Sequence, residues 1–228
     1  MAFRKKASLL LAHKPDIAII PECEHPDKLK FESGIPLPND VLWFGNNQHK
    51  GLGVFSYSDY KFQLDDSHNA DFRTILPLTV RNKKNIFCLF AIWANNPSDR
   101  GYEYVGQIWK AINFYTDRLK NKKTILVGDF NSNTIWDKPR REGNHSTVVE
   151  FLARKGIHST YHKFYDQPQG KEKHNTLFMY RHKDKPYHLD YCFASKDLIE
   201  KLSNVEIGEH KDWCKHSDHT PLIVTFNN

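Results

Sequence analysis

The chain is poor in cysteine: Cys23, Cys88, Cys192 and Cys214 lie far apart in 228 residues and form no C-x-x-C pair. That usage fits a cytoplasmic chain better than a disulfide-framed secreted one. Long apolar runs are missing as well. The longest, residues 86–94, holds nine residues, about half of what a membrane-spanning helix needs. The basic opening Met1 to Lys6 and the following Leu9-Leu10-Leu11 are too short for a secretory signal, and no small-residue cleavage site precedes His13-Lys14-Pro15. No membrane contact and a cytoplasmic location are therefore expected. No linker, repeat or low-complexity block breaks the sequence, so 1–228 reads as one domain around one core. H-E-x-x-H is absent too. His158 and His162 stand four apart, near His182 and His188, but the Thr and Tyr between the first two favour a strand or loop. A zinc site is the weaker reading.

Hydrophobic residues make up 39% and aromatics 13% of the chain, which excludes a disordered protein and supplies a core. The formal charge is +6 but uneven, because residues 110–185 alone carry +8. Such a surplus suits a phosphate-rich partner; it also suits an ordinary solvated surface.

The apolar pattern gives mostly strands. Phe3, Ala7, Leu10 and Leu11 form one helical stripe that ends before Pro15, with Lys5 and Lys6 expected in water. Residues 17–20 read as a buried strand, and short β-type runs follow at 41–44, 52–55, 60–64, 74–80 and 86–94. Val105, Ile108, Ile112, Tyr115 and Leu119 recur at intervals of 3, 4, 3 and 4, the spacing of one helix face. Residues 124–127 form another buried strand, and a second helix runs over 146–155 to Gly156. Strands at 189–194, 205–207 and 222–226 surround a short helix at 197–202. The fold class is α/β (α+β): two packed mixed β-sheets in a sandwich, flanked by helices.

Acidic residues mark the strand ends. Glu22 ends one apolar strand, Asp129 ends another, Asp190 lies within Leu189-Asp190-Tyr191, and Asp218-His219 precede the last. Any one of them could be a turn or cap residue. Together, if the ends converge, they would line a pocket suited to a hard divalent cation, because buried carboxylates must be paired or bind a cation.

Four segments carry a family resemblance. Pro15-Asp16-Ile17-Ala18-Ile19-Ile20-Pro21-Glu22, Val127-Gly128-Asp129-Phe130-Asn131, His188-Leu189-Asp190-Tyr191 and Ser217-Asp218-His219-Thr220-Pro221 resemble, in order, the motifs of the endonuclease/exonuclease/phosphatase superfamily with its DNase I-like fold. The resemblance covers positions 15 to 226 and implies a Mg²⁺- or Mn²⁺-dependent phosphoester hydrolase, most readily a nuclease. Glu22 and Asp218 would hold the metal against a phosphate oxygen. Asp129 would take a proton from the attacking water as general base. Asn131, which cannot titrate, would orient the water or a phosphate oxygen. His219, with Asp190 as carboxylate partner, would place positive charge on the transition state. Phosphomonoester cleavage by the same fold, or a non-catalytic binding protein, are the alternatives.

Two departures stand out. The family's first strand, which often carries an Asn at the metal site, has no counterpart before the Phe3–Leu11 stripe. Either the start lies downstream of the true one or another segment fills the gap; in the first case an upstream extension should raise stability and activity. Where many members carry His or Tyr at the end of the middle strand, this chain has Trp93 and, shortly after, Asn96. Trp93, Asn96, Arg140 and Arg141 are candidate substrate contacts. Phe178 and Tyr180, interleaved with Arg181 and Lys183, suit either a stacking groove for nucleic acid or an alternating strand with a basic outer face. Nucleic acid is the expected partner, and oligomeric state stays open.

Overall fold

The computed structural model describes residues 3–96, 98–120 and 123–227. Among the described residues, thirteen strands and six α-helices are formed. The first third comprises α1 (Ala7–Leu11), β1 (Ile17–Cys23), β2 (Asp40–Asn47), β3 (Lys50–Ser56) and β4 (Lys61–Leu64). Next come β5 (Ile75–Arg81), β6 (Ile86–Trp93), α2 (Val105–Phe114), β7 (Thr124–Asp129), α3 (His145–Arg154), β8 (Ile157–Ser159) and α4 (Thr160–Tyr165). The chain closes with β9 (Leu177–Phe178), β10 (Pro186–Tyr187), β11 (Asp190–Ser195), α5 (Lys196–Ile199), β12 (Leu202–Ile207), α6 (His210–Trp213) and β13 (Leu222–Phe226).

Six strands make the main sheet in the order β4-β5-β6-β7-β11-β8. It is mixed, because β6 and β7 run parallel while the other pairs are antiparallel. A second, antiparallel sheet has the order β1-β3-β2, and β12 pairs with β13 alone. The expected sandwich is therefore present, with its second layer divided between a three-stranded sheet and a two-stranded ribbon. Among the described residues β1 has one ladder partner, β3, and β13 has one, β12. Each presents a further edge with no strand against it.

Alternation along the strands builds the layers. Leu52 and Val54 of β3 meet Leu76, Leu78, Leu89 and Ala91 of the main sheet, filling the space between sheets. On the other side of the main sheet, Ile108 and Ile112 of α2 and Val148 and Leu152 of α3 cover Phe90, Ile92, Leu126 and Phe193. The 3.6-residue stripe read in the sequence is this contact: all five of its residues, Val105 to Leu119, are buried. The outer face of the three-stranded sheet takes Phe3, Ala7 and Leu11 against Ala18, Ile20 and Phe55.

Three local expectations change. Lys5 is exposed as expected, but Lys6 is half-buried and its ammonium senses Cys23, Asp190, Asp218 and Glu22. The turn before α1 is tied to the residue after β1, since Phe3 N–H donates to the buried Glu24 Oε2 at 2.7 Å and Arg4 pairs with the same carboxylate. His158 lies in β8, but His162 lies in α4, so that segment is half helix. Phe178 and Tyr180 do not alternate along one strand: Phe178 closes the two-residue β9, and Tyr180 turns at φ 57° in the next 3₁₀ turn.

Candidate active site

Local backbone irregularities aim the motif side chains. Gly128 adopts φ +138°, and a Cβ there would fall 2.0 Å from the Ile92 carbonyl oxygen. Only glycine lets β7 lie this close to β6, and that closeness sets Asp129 opposite Trp93 in the parallel register. Asn131 turns at φ 46°, folding its side chain back: its amide Nδ2 donates to Asp129 Oδ2 at 2.8 Å and to the Ala94 carbonyl at 2.9 Å. Its backbone N–H donates to Asp129 Oδ1 at 2.9 Å.

Asp190 lies directly opposite Asp129 on the neighbouring antiparallel strand, a separation of about 5 Å between Cβ atoms in such pairs. Thr176 Oγ1 accepts from the backbone N–H groups of both Leu189 and Asp190 at 2.9 and 3.0 Å. His219 reaches the same place from the loop before β13. Its backbone bridges Leu177, its N–H donates to the Ser217 hydroxyl at 3.1 Å, and its Nδ1 lies 2.8 Å from Asp190 Oδ2.

The charges interact accordingly. Burial, with Asp190 beside it, raises the Asp129 carboxyl well above the usual carboxylate range, against the opposing pull of His219 and the Asn131 N–H. Burial would lower the His219 imidazole, but the Asp190 charge and hydrogen bond, with Asp129 and Asp218 behind, raise it to about 9. At neutral pH His219 is therefore a cation, and Asp129 has a proton affinity suited to a base.

Glu22 comes from the other sheet. It sits at φ 58° in the bulge between Ile20 and Cys23, which turns its carboxylate out of the strand alternation. Burial would raise this carboxyl, but the hydrogen-bonded Lys50 ammonium, 2.7 Å away, holds it below its ordinary value. Among the described residues no three His, Cys, Asp or Glu side chains are grouped tightly enough to enclose a metal ion. The donors do suit a cation that keeps much of its water, because Glu22 and Asp218 offer hard carboxylate oxygens.

The remaining candidates divide. Trp93 and Asn96 border the site, Trp93 beside Asp129 and Asn96 at φ 67° on the following loop. Arg141 is tied to another loop, where it donates to the carbonyls of Gly101 and Glu103 at 3.3 and 3.4 Å. Arg140 is exposed at φ 62° on the same turn as Arg141, and neither contacts the acidic centre. Lys6, Lys50 and Thr176 were missed by sequence reasoning. Nothing in their local sequence separates these two lysines from the other basic residues, and only strand register brings Lys50 to Glu22. Two of the four histidines weighed for zinc have protein partners: His162 Nε2 pairs with Glu172 at 3.0 Å, and His188 Nδ1 meets the His174 carbonyl at 2.8 Å. No helix among the described residues is long and apolar enough to cross a membrane.

No protein-family model and no curated protein matches the chain. Solved structures do. The 3′-5′ exonuclease NExo from Neisseria meningitidis aligns with a TM-score of 0.68 at 19% identity, over 99% of this chain and 94% of that one. An AP endonuclease from Archaeoglobus fulgidus gives 0.63 at 18% identity, over 97% and 93%. The endonuclease domain of TRAS1, a telomere-specific non-LTR retrotransposon, gives 0.61 at 16%, over 98% and 90%. These neighbours share their architecture with this chain, which has the DNase I-like fold.

Proposed function

We propose that this protein hydrolyses phosphoesters of nucleic acid with Mg²⁺ or Mn²⁺ as cofactor. The observation that carries the proposal is the triangle of Asp129, Asp190 and His219, in which a buried base faces an imidazolium fixed by a second carboxylate. An anionic diester repels a hydroxide-like nucleophile, so the site needs positive charge on the phosphate and a group to take the water's proton. Glu22 and Asp218 are the residues that would hold the cation, which would supply Lewis-acid charge neutralisation. His219 adds a second positive charge and donates from Nε2 to a phosphate oxygen, while Asp190 on Nδ1 fixes its tautomer. Asp129 takes the proton from water, and Asn131 restrains that carboxylate so that one lone pair stays directed at the water.

The neighbours described as nucleases and the +8 surplus over residues 110–185 support a nucleic-acid substrate. A second reading, removal of a terminal phosphate, gains support from one neighbour described as a 3′ phosphatase bound to product DNA hairpin. The test is a panel of single-stranded DNA, duplex DNA with an abasic site, RNA and 3′-phosphorylated DNA, with and without chelator. Chelator-sensitive cleavage of any of these fits the proposal, with the product identifying which reading holds. No turnover on any of them with either metal overturns it in favour of a binding protein.

A further inference from the structure

Behind the Asn131 loop lies a closed ring of hydrogen bonds. Ser132 Oγ meets His145 Nδ1 at 2.8 Å, and His145 Nε2 meets Gln169 Oε1 at 3.3 Å. Gln169 Nε2 meets His162 Nδ1 at 3.2 Å, and His162 Nε2 meets Glu172 Oε1 at 3.0 Å. Asn133, adjacent to Ser132 in the chain, closes the ring by donating from Nδ2 to Glu172 Oε2 at 3.2 Å. The ring therefore ends from both directions on one carboxylate. Only 4% of the Glu172 side chain is exposed. Burial would raise its carboxyl, but His162, the Gly170 N–H at 2.9 Å and Asn133 hold it at about 2, so it is an anion at neutral pH.

We propose that Glu172 and Asn133 are positioning residues, which fix the Asn131 loop against the strand that carries Asp190; the proposal rests on the phosphoester-hydrolase reading. Asn133 stands two residues after Asn131 and is 3% exposed. Its Nδ2 also lies 3.1 Å from the His188 carbonyl and 3.0 Å from the Tyr191 hydroxyl, so one amide holds both flanks of Asp190. Its Oδ1 accepts from the Ile135 N–H at 3.1 Å, and Glu172 fixes which way the amide faces, because a carboxylate can only accept. A buried, paired anion adds little net stability over apolar residues of the same volume. The geometry it sets matters more, since a misplacement of about 1 Å can cost on the order of 10²-fold in rate.

The test is steady-state hydrolysis of bis(4-nitrophenyl) phosphate by the full chain with Mg²⁺ or Mn²⁺, below the melting temperature of every variant. Glu172→Gln keeps the shape but sets a donor against a donor on one side of the new amide. Asn133→Ser keeps an oxygen able to cap the Ile135 N–H but is too short to reach Glu172, His188 and Tyr191. Each should lower kcat by roughly 10- to 100-fold, with KM and the metal dependence unchanged within about twofold. Ser195→Ala is the control. It removes a buried hydroxyl at the far end of β11, which accepts from the Thr124 N–H at 3.1 Å and donates to Asp197 at 2.6 Å. It should lower the melting temperature and leave kcat in place. If one ring variant fails to fold, the other decides; if both fail, the ring is structural and the positioning role is overturned. An unmoved kcat in the folded variants, an equal loss in Ser195→Ala, or a loss confined to KM or metal affinity overturns the role alone. No hydrolysis by the parent protein with either metal removes the phosphoester reading and the role with it.

Discussion

Asp129 and Asp190 are held on paired strands of the main sheet, and His219 is tied to Asp190 from the loop before β13, by hydrogen bonds of 2.8–2.9 Å, whereas Glu22 leaves a bulge in β1 and keeps 42% of its side chain exposed. The first region is fixed before any ligand arrives. The second has its carboxylate paired with the half-exposed Lys50 at 2.7 Å. Proton transfer needs donors and acceptors placed in advance. Capture of a hydrated cation tolerates looser carboxylates, since the ion keeps waters that absorb the misfit. In the proposed reaction a rigid proton-handling side and an open charge-holding side would each match the demands of its task.

The largest effect should come from the backbone of the rigid side. Gly128→Ala places a Cβ against the Ile92 carbonyl oxygen at a φ that alanine rarely adopts, and should cost about 4 kcal/mol from strain and overpacking. Chemical denaturation would measure it; a loss near zero would mean that β7 can shift and that the rigidity ascribed to this side is absent.

Acid should act next, through the packing behind the Asn131 loop. His145 is buried against Ser132, Nδ1 to Oγ 2.8 Å, and burial lowers it from 6.5 to about 4. Between pH 6.5 and 4 the unfolded chain binds a proton that the folded one refuses, so stability falls as pH drops, by about 3 kcal/mol in total. His219 has the opposite sign: raised to about 9, its contribution is complete below pH 6.5 and is lost as pH rises through 9. Asp129, raised by burial, gains stability as pH falls and opposes His145 in the same window, so the His145 contribution is read as the difference between the melting curves of the parent and of His145→Gln. An acid decline between pH 6.5 and 4 no steeper in the parent than in His145→Gln would contradict the buried neutral His145.

Asp129→Asn should slow hydrolysis on the order of 10²-fold with little change in metal affinity, as expected for a lost general base. Equal rates for the variant and the parent protein would remove Asp129 from that role. On the open side, Glu22→Gln should weaken Mg²⁺ by roughly tenfold, about 1.4 kcal/mol, and recover much of its rate at high metal. If excess metal rescues Asp129→Asn and not Glu22→Gln, the two sides have been assigned in reverse.

Much of this was legible in the residues. The helix face from Val105 to Leu119 could be read because a 3.6-residue apolar period survives only if it is buried. Strand 222–226 was legible to its ends, bounded by Pro221 and the polar Asn227-Asn228. The motif carboxylates stood out because each closes or opens an apolar run. The segment 158–162 was harder, since Thr and Tyr favour strands locally but α4 packs on β11 and β12, and that burial outweighed propensity. Tyr180 likewise reads as a strand residue yet adopts φ 57° in a 3₁₀ turn before the β10 strand.

The sequence by itself determined the layer pattern, the motif order and which side chains could carry charge at strand ends, because periodicity and strand termini are local properties of the chain. Only tertiary structure decided which charges meet. The 2.8 Å pairing of Asp190 with His219 joins residues 29 apart, and the 2.7 Å pairing of Glu22 with Lys50 follows from the β1–β3 register. Phe3 and Glu24, 21 residues apart, meet through a 2.7 Å hydrogen bond that no local pattern announces. Electrostatic energy depends on distance through space and on burial, neither of which is encoded by spacing along the chain.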